Sequence, residues 1–367
     1  MDNPTQPAGA ANGIRDRWIL SLDGGGMRGL TTAVFLGELE NAIGAPLSGC
    51  FDLVAGTSSG AIVAGGLAIG PEGRQIVPTA ELPDIFAQDG PLIFRSGSMG
   101  WWRTVNWLRG PLYRTERLTQ AVEQRVGSVM LSDVQSDLLL TAYDMRLGQP
   151  VLFQSWLAGN SPACAANRAA GAGLMEMCPT QEGSPTPDFK LRDALVASAA
   201  VPTFFAPLKA TRADGEHYAL IDGFVFALNP VLSAYFAARR RFGYTNRFHI
   251  LSIGTGRHQR GYDWDDLKDR GALGWLRPML EAFPTGTSEA SETYMDWITE
   301  IANVGHTRIN PLFDHKNDPT APSPEFDDAT PENIQRLAAA GKKLFADNAE
   351  RLAPTLAQLR THGERVG

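Results

Sequence analysis

The stretch from Phe51 to Gly66 reads FDLVAGTSSGAIVAGG, and the fold turns on it. Phe51, Leu53 and Val54 form a short apolar run suited to a buried strand. After Gly56-Thr57-Ser58-Ser59-Gly60, the small residues Ala61 to Ala64 open a helix. Ser58 therefore stands on a strand-to-helix corner, where a serine is held in a strained conformation with its hydroxyl exposed. Gly56 and Gly60 remove the side chains that would collide across so sharp a turn. The free amides of the following helix N-terminus favour negative charge developing nearby. The position suits a nucleophile. A Gly-x-Ser-x-Gly match nevertheless arises by chance in roughly one chain in four at this glycine content, so an oxyanion site and a base must be found elsewhere.

Upstream, Trp18-Ile19-Leu20-Ser21-Leu22 reads as a buried strand running into Asp23-Gly24-Gly25-Gly26-Met27-Arg28-Gly29, before a helix from Leu30 to about Ile43. Three adjacent glycines leave backbone amides uncovered, and amides near a helix N-terminus make a pocket for an anion. One candidate anion is a cofactor phosphate, because Gly24, Gly26 and Gly29 satisfy Gly-x-Gly-x-x-Gly. That reading also wants an acidic residue at the end of the second strand, whereas Asp52 starts that strand. The other candidate is the oxyanion of an ester under attack by Ser58, which preorganised backbone donors would stabilise.

A DGGGMRG loop after the first strand and GTSSG about thirty residues later together resemble the patatin-like phospholipase family. Ala194 to Pro207, ALVASAAVPTFFAP, is similar to that family's Ala-Ser-Ala-Ala-x-Pro segment. Ile221-Asp222-Gly223 with Asn229-Pro230 is similar to its Asp-Gly motif and trailing Asn-Pro, and Leu251 to Gly256 to a later strand and turn. The resemblance implies a Ser58–Asp222 dyad, an oxyanion hole from Gly24, Gly25, Gly26 and Arg28, and a lipid substrate met at a membrane surface. It implies a phospholipid, lysophospholipid or glyceride as that substrate, and no metal or cofactor. Two positions depart from the family pattern: Phe224 follows Asp222-Gly223 where glycine or alanine is usual, and Leu228 replaces a common asparagine.

Read from the residues alone, Tyr218 to Ile221 is a short apolar strand that delivers Asp222 at its end, where a carboxylate can serve a serine hydroxyl as general base. A plain Asp-Gly turn is the bland alternative. A triad would require a histidine. His249, His258, His306, His315 and His362 all follow the acid in chain order, but none sits in a recognisable histidine loop. The dyad is therefore preferred.

The totals fit a globular protein. The chain has 367 residues with 33 basic and 40 acidic side chains, and the net charge of -7 argues against general nucleic-acid binding. Its three cysteines, Cys50, Cys164 and Cys178, indicate neither a disulfide framework nor a zinc site. No signal peptide or membrane span is legible, so the location is expected to be cytoplasmic, peripheral at a membrane, or outside the cell by a route without a signal. The oligomeric state is left open.

Residues 1–16 read as a disordered leader and 17–360 as one catalytic domain, with a motif-bearing core over 17–256 and a helical part over 257–360. Aromatics and arginines interleave from Gly90 to Tyr113, in a pattern that suits either a lipid interface or a loop over the core. Leu138–Ala142 and Pro150–Phe153 read as neighbouring strands, 158–187 as a long surface loop, and Asp263–Arg270 as a solvated run. Helices are expected over Ser288–Val304 and from Pro331 to about Leu359.

The expected fold is α/β: a mostly parallel central sheet in a three-layer α/β/α arrangement, with the site at the carboxyl ends of the first strands. The expected function is serine acyl hydrolysis of lipid esters. The alternative is a catalytically silent or ligand-gated effector that binds lipid or nucleotide on the same fold.

Overall fold

In the computed structural model, residues 14–95, 110–159, 188–211, 217–258, 262–314 and 317–366 are described. The strands are β1 (Asp16–Leu22), β2 (Leu53–Gly56), β3 (Asp137–Asp144), β4 (Gln149–Gln154), β5 (Leu208–Thr211), β6 (His217–Asp222), β7 (Arg247–Ile253), β8 (Arg257–His258), β9 (Val304–Ile309) and β10 (Leu312–Phe313). The longer helices are α1 (Gly29–Ile43), α2 (Ser59–Leu67), α3 (Thr115–Val126), α4 (Leu191–Ala199), α5 (Val231–Phe242), α6 (Ala272–Ile301) and α7 (Pro331–Val366).

The main sheet runs β5-β6-β3-β2-β1-β7-β9, with β4 also on β3. Strands β3, β2, β1, β7 and β9 are parallel neighbours, and β4, β5 and β6 run against the direction of β3 or of one another. The expected mostly parallel sheet between helical layers is the observed architecture.

Strand alternation divides the core in two. Leu20, Leu22, Val54, Leu138, Leu140 and Leu251 face the layer that includes α1, α2, α4 and α7, while Ile19, Leu53, Ala55, Leu139 and Ile250 face α5 and α6. Both faces of the central strands are covered, which is why these strands read as continuous apolar runs.

One pairing detail positions the site. Residues 139–144 of β3 pair with β4 along one edge, so β2 and β6 must share the other edge, end to end. Leu140 pairs with Gly56 and Ala142 with Asp222. Thr141 alone separates the partner of Gly56, at the end of β2, from the partner of Asp222, at the end of β6.

One expectation for the chain needs correcting. The helix expected over Ser288–Val304 begins at Ala272, and Val304 already belongs to β9. Pro278 and Pro284 punctuate the early part of α6 and suppressed the helical reading, since an interior proline removes a backbone hydrogen bond and crowds the preceding turn. Of the aromatic stretch, Phe94 and Tyr113 pack inward, edge to face at 5.3 Å. Trp101, Trp102, Arg103, Trp107, Leu108 and Arg109 lie outside the described residues, as do Cys164, Cys178, most of the proposed leader and nearly all of the 158–187 loop. No helix among the described residues is long and apolar enough to cross a membrane.

Candidate active site

Ser58 links β2 to α2 with φ 55° and ψ −124°, a region that an L-residue with a Cβ seldom occupies. The surroundings hold it there. A Cβ on Gly60 would come within 2.3 Å of Leu22 O, so only glycine lets α2 start this close to β1. The Ser58 amide donates to Ser198 Oγ at 3.0 Å. Thr57 Oγ1 donates to Ala227 O at 2.6 Å and pairs with Thr141 Oγ1 at 2.8 Å.

Asp222 ends β6 and is fully buried. Its amide donates to Ala200 O at 3.1 Å, and its Oδ1 accepts the Phe224 amide at 2.8 Å. The ASAA segment of α4 and the turn after it therefore bind both residues, Ser198 at Ser58 and Ala200 at Asp222. Burial pushes the Asp222 carboxyl up to about 7, against the lowering effects of the Phe224 amide and the Ser58 hydroxyl. The hydroxyl is thus a neighbour of the carboxylate, yet Oδ2 lacks a partner in hydrogen-bonding geometry among the described residues. Catalytic hydrogen bonds are often long before substrate arrives and tighten in the reacting complex. Phe224, the departure noted in the sequence, contributes through its backbone amide rather than by displacing the acid.

The glycine loop emerges beside Ser58. The Gly24 amide is committed to Leu228 O at 3.0 Å, and the Met27 amide to Phe326 O at 2.7 Å. No hydrogen bond among the described residues uses the amides of Gly25, Gly26 or Ser59. The Gly24 amide is thus already occupied, and the residue lies close to the corner: a Cβ there would sit 3.0 Å from Ser58 Cβ. Gly26 has φ +59°, and a Cβ on it would meet Phe326 O at 2.3 Å. Arg28 Nε donates to Gly25 O at 3.3 Å and Nη1 to Gly256 O at 3.5 Å, so this guanidinium ties the loop to the turn after β7. Thr255 Oγ1 donates to Gly24 O at 2.8 Å from that same turn.

The histidines lie elsewhere. His249 Nε2 meets Asp16 Oδ1 at 2.8 Å and stacks on Trp18, His306 lies 3.8 Å from Asp296, and His362 lies 3.0 Å from Asp52. His258 packs against Phe313, and His315 falls outside the described residues. Among the described residues no histidine partners Ser58 or Asp222. Asp52, the only acid that the dinucleotide reading had near β2, is bound by Arg17, the Trp18 amide and His362 at the far end of the sheet. The described residues contain no cluster of metal-ligating side chains.

Sequence reasoning missed Ser198 and Arg308. Ser198 sits in a run of alanines where nothing marks its hydroxyl as an acceptor. Arg308 reaches Asp23, the residue before the glycines, from β9. Its strand reads VGHTRI, with no apolar alternation that would mark the arginine.

Comparison with known proteins identifies the family of the chain. Residues 20–235 match the family described as "Patatin-like phospholipase". The chain is 29% identical to "Patatin-like protein 2" of Arabidopsis thaliana over 94% of its own length and 86% of that protein. It is 23% identical to "Patatin-2-Kuras 3" of Solanum tuberosum, over 92% of this chain and 85% of that one. Among solved structures, VipD from Legionella pneumophila aligns with a TM-score of 0.35 and 11% identity, over 91% of this chain and 67% of that chain. That score is too low to carry weight. The chain belongs to the patatin-like phospholipase family, whose members are in general lipid acyl hydrolases.

Proposed function

We propose that the protein hydrolyses ester bonds of lipids (phospholipid, lysophospholipid or glyceride) through Ser58 and Asp222. The observation that carries this reading is the meeting of a serine in strained elbow geometry with a buried carboxylate pushed up to about 7, close to the range in which a general base works best. Asp222 takes the Ser58 proton as the hydroxyl attacks the ester carbonyl. The amides of Gly25 and Gly26, joined by that of Ser59 at the start of α2, receive the developing oxyanion. Arg28 holds the loop that carries two of these donors. Asp222 returns the proton to the departing alcohol, and water, activated in the same way, then releases the acyl group from Ser58. These steps use the protein's own side chains and amides.

The test is intact-mass labelling with a lipid-like fluorophosphonate on the wild type, Ser58→Ala and Asp222→Asn, with peptide mapping. The reading expects one adduct on Ser58, absent from Ser58→Ala and slower to form in Asp222→Asn. A folded wild-type protein that takes no adduct and turns over no lipid ester would remove it.

A further inference from the structure

Arg308 lies on β9, two strands away from β1, yet its side chain crosses to the start of the glycine loop. Nη1 donates to Asp23 Oδ1 at 2.8 Å and to Ser252 Oγ at 2.9 Å, Nη2 donates to Asp23 Oδ2 at 2.5 Å, and Nε donates to Glu292 Oε1 at 2.7 Å. The register explains the reach. Ser21 pairs with Ser252 and Ser252 with Arg308, so the three lie in one row across β1, β7 and β9, and Asp23 is two residues beyond Ser21 on the same face. Glu292 closes the cluster from α6, which covers that face. The side chains of Arg308 and Asp23 are 11% and 5% exposed, so this is a planar, bidentate ion pair out of bulk water. Burial disfavours charge on Arg308, but Asp23 and Glu292 outweigh it and raise its pKa above the ordinary arginine value.

We propose that Arg308 is a positioning residue for the reaction, fixing the glycine loop through Asp23, and that Glu292 aligns Arg308 for this purpose. This rests on the proposed function. The physical reason is the place of Asp23. Its backbone amide is bound to Ile253 O at 3.0 Å, its carbonyl packs against Gly60 of α2, and two residues later come the amides assigned to the oxyanion. A rotation at Asp23 would move Gly25 and Gly26 relative to Ser58. Small misplacements of preorganised donors cost rate rather than binding. A buried ion pair of this kind is weak evidence for stability, because desolvation offsets much of its attraction, so a role in orientation accounts better for its presence. Both Arg308 and Glu292 lie outside the 20–235 region that carries the family match. The C-terminal part would then complete a site whose chemistry lies entirely in the first two thirds of the chain.

The test compares wild type, Arg308→Lys and Glu292→Gln with a short-chain p-nitrophenyl ester as soluble substrate, counting active sites by fluorophosphonate titration. Lysine keeps the charge but cannot grip Asp23 with two donors while also reaching Ser252 and Glu292. Glu292→Gln leaves the Arg308–Asp23 pair intact and guards against a lysine variant that fails to fold. The expectation is full titration of Ser58 with kcat lowered about tenfold or more in Arg308→Lys and severalfold in Glu292→Gln, KM staying within about twofold. Hydrogen exchange of the peptide spanning residues 23–29 should quicken in both variants. Wild-type kcat per titrated site in folded variants would overturn the proposal, as would a loss explained wholly by fewer titratable sites. If the wild type itself is neither labelled nor active, the proposed function falls and this role with it. A labelled wild type alongside unaffected variants would remove the positioning role alone.

Discussion

The backbone amide of Ser58 donates to the side chain of Ser198 at 3.0 Å, so a residue 140 positions later helps to hold the elbow in its left-handed conformation. Such backbone strain costs about 1–3 kcal/mol and persists only where neighbours enforce it. A hydrogen bond to a buried amide contributes about 1 kcal/mol and costs more when its acceptor is deleted and the donor is left unpaired. Ser198→Ala should therefore lower kcat roughly tenfold and the unfolding temperature by a few degrees. Ser58 should still titrate fully with a fluorophosphonate. Steady-state kinetics beside a thermal melt check this. An unchanged kcat would show that the elbow keeps its geometry without Ser198.

As the proposed general base, Asp222 must be ionised to accept a proton, and burial pushes its carboxyl up to about 7. The ester-hydrolysis rate at low substrate should therefore rise with pH and level off above an apparent pKa near 7. Without the shift the rise would finish near the ordinary value of 3.8. A kcat/KM profile between pH 5 and pH 9 on the soluble ester, in a buffer series of constant ionic strength, decides between these outcomes. A flat profile across this range would mean that burial does not raise the Asp222 carboxyl as assigned.

A methyl group at Gly60 would press to within 2.3 Å of Leu22 O and 2.5 Å of Asp23 O, both backbone atoms with nowhere to retreat. Gly60→Ala must push α2 away from β1, and overpacking of this kind typically costs about 1–3 kcal/mol, with more possible where backbone has to shift. The expected result is a clearly lowered unfolding midpoint in urea together with loss of Ser58 labelling. Gly37→Ala is the control, because its added methyl meets nothing within 4 Å. It should leave both readings near wild type.

How much of this could be read from the chain depends on where the information lies. The corners that carry Ser58 and Asp222 were legible because each ends an apolar run beside glycine, a pattern confined to a few consecutive residues. The parallel sheet was legible for the same reason, since Trp18–Leu22, Leu138–Ala142 and Phe248–Ile253 are covered on both faces and read as predominantly apolar strands. The assignment of Gly24 as an oxyanion donor was not decidable locally, because the Leu228 carbonyl that occupies its amide arrives from two hundred residues away. The same holds for Ser198 and Arg308, whose roles exist only once α4 and β9 are in place. The start of α6 was hidden by Pro278 and Pro284, whose local preference is overridden over the length of a thirty-residue helix.

Two buried groups pull stability in opposite directions with pH, which gives the last prediction. Burial, reinforced by nearby Arg308, lowers the His306 pKa from 6.5 to about 4, so the unfolded chain binds the extra proton between these values. Its contribution to stability is fully present above 6.5 and is lost as pH falls toward 4. Asp222 is the reverse case. With a folded value of about 7 against 3.8, its contribution is fully present below 3.8 and is lost as pH rises through 7. In the wild type the two largely cancel across mildly acidic pH, and the unfolding free energy should change little there. Removing either group should expose the other. Asp222→Asn should gain stability at pH 8, where it no longer buries a carboxylate, and should lose it progressively on acidification below pH 6.5. His306→Gln should instead become more stable as pH falls from 7 to 4. Each slope approaches about 1.4 kcal/mol per pH unit at its steepest, well within reach of urea titrations at four pH values. Parallel pH profiles for the two variants would mean that neither burial shifts its group as assigned.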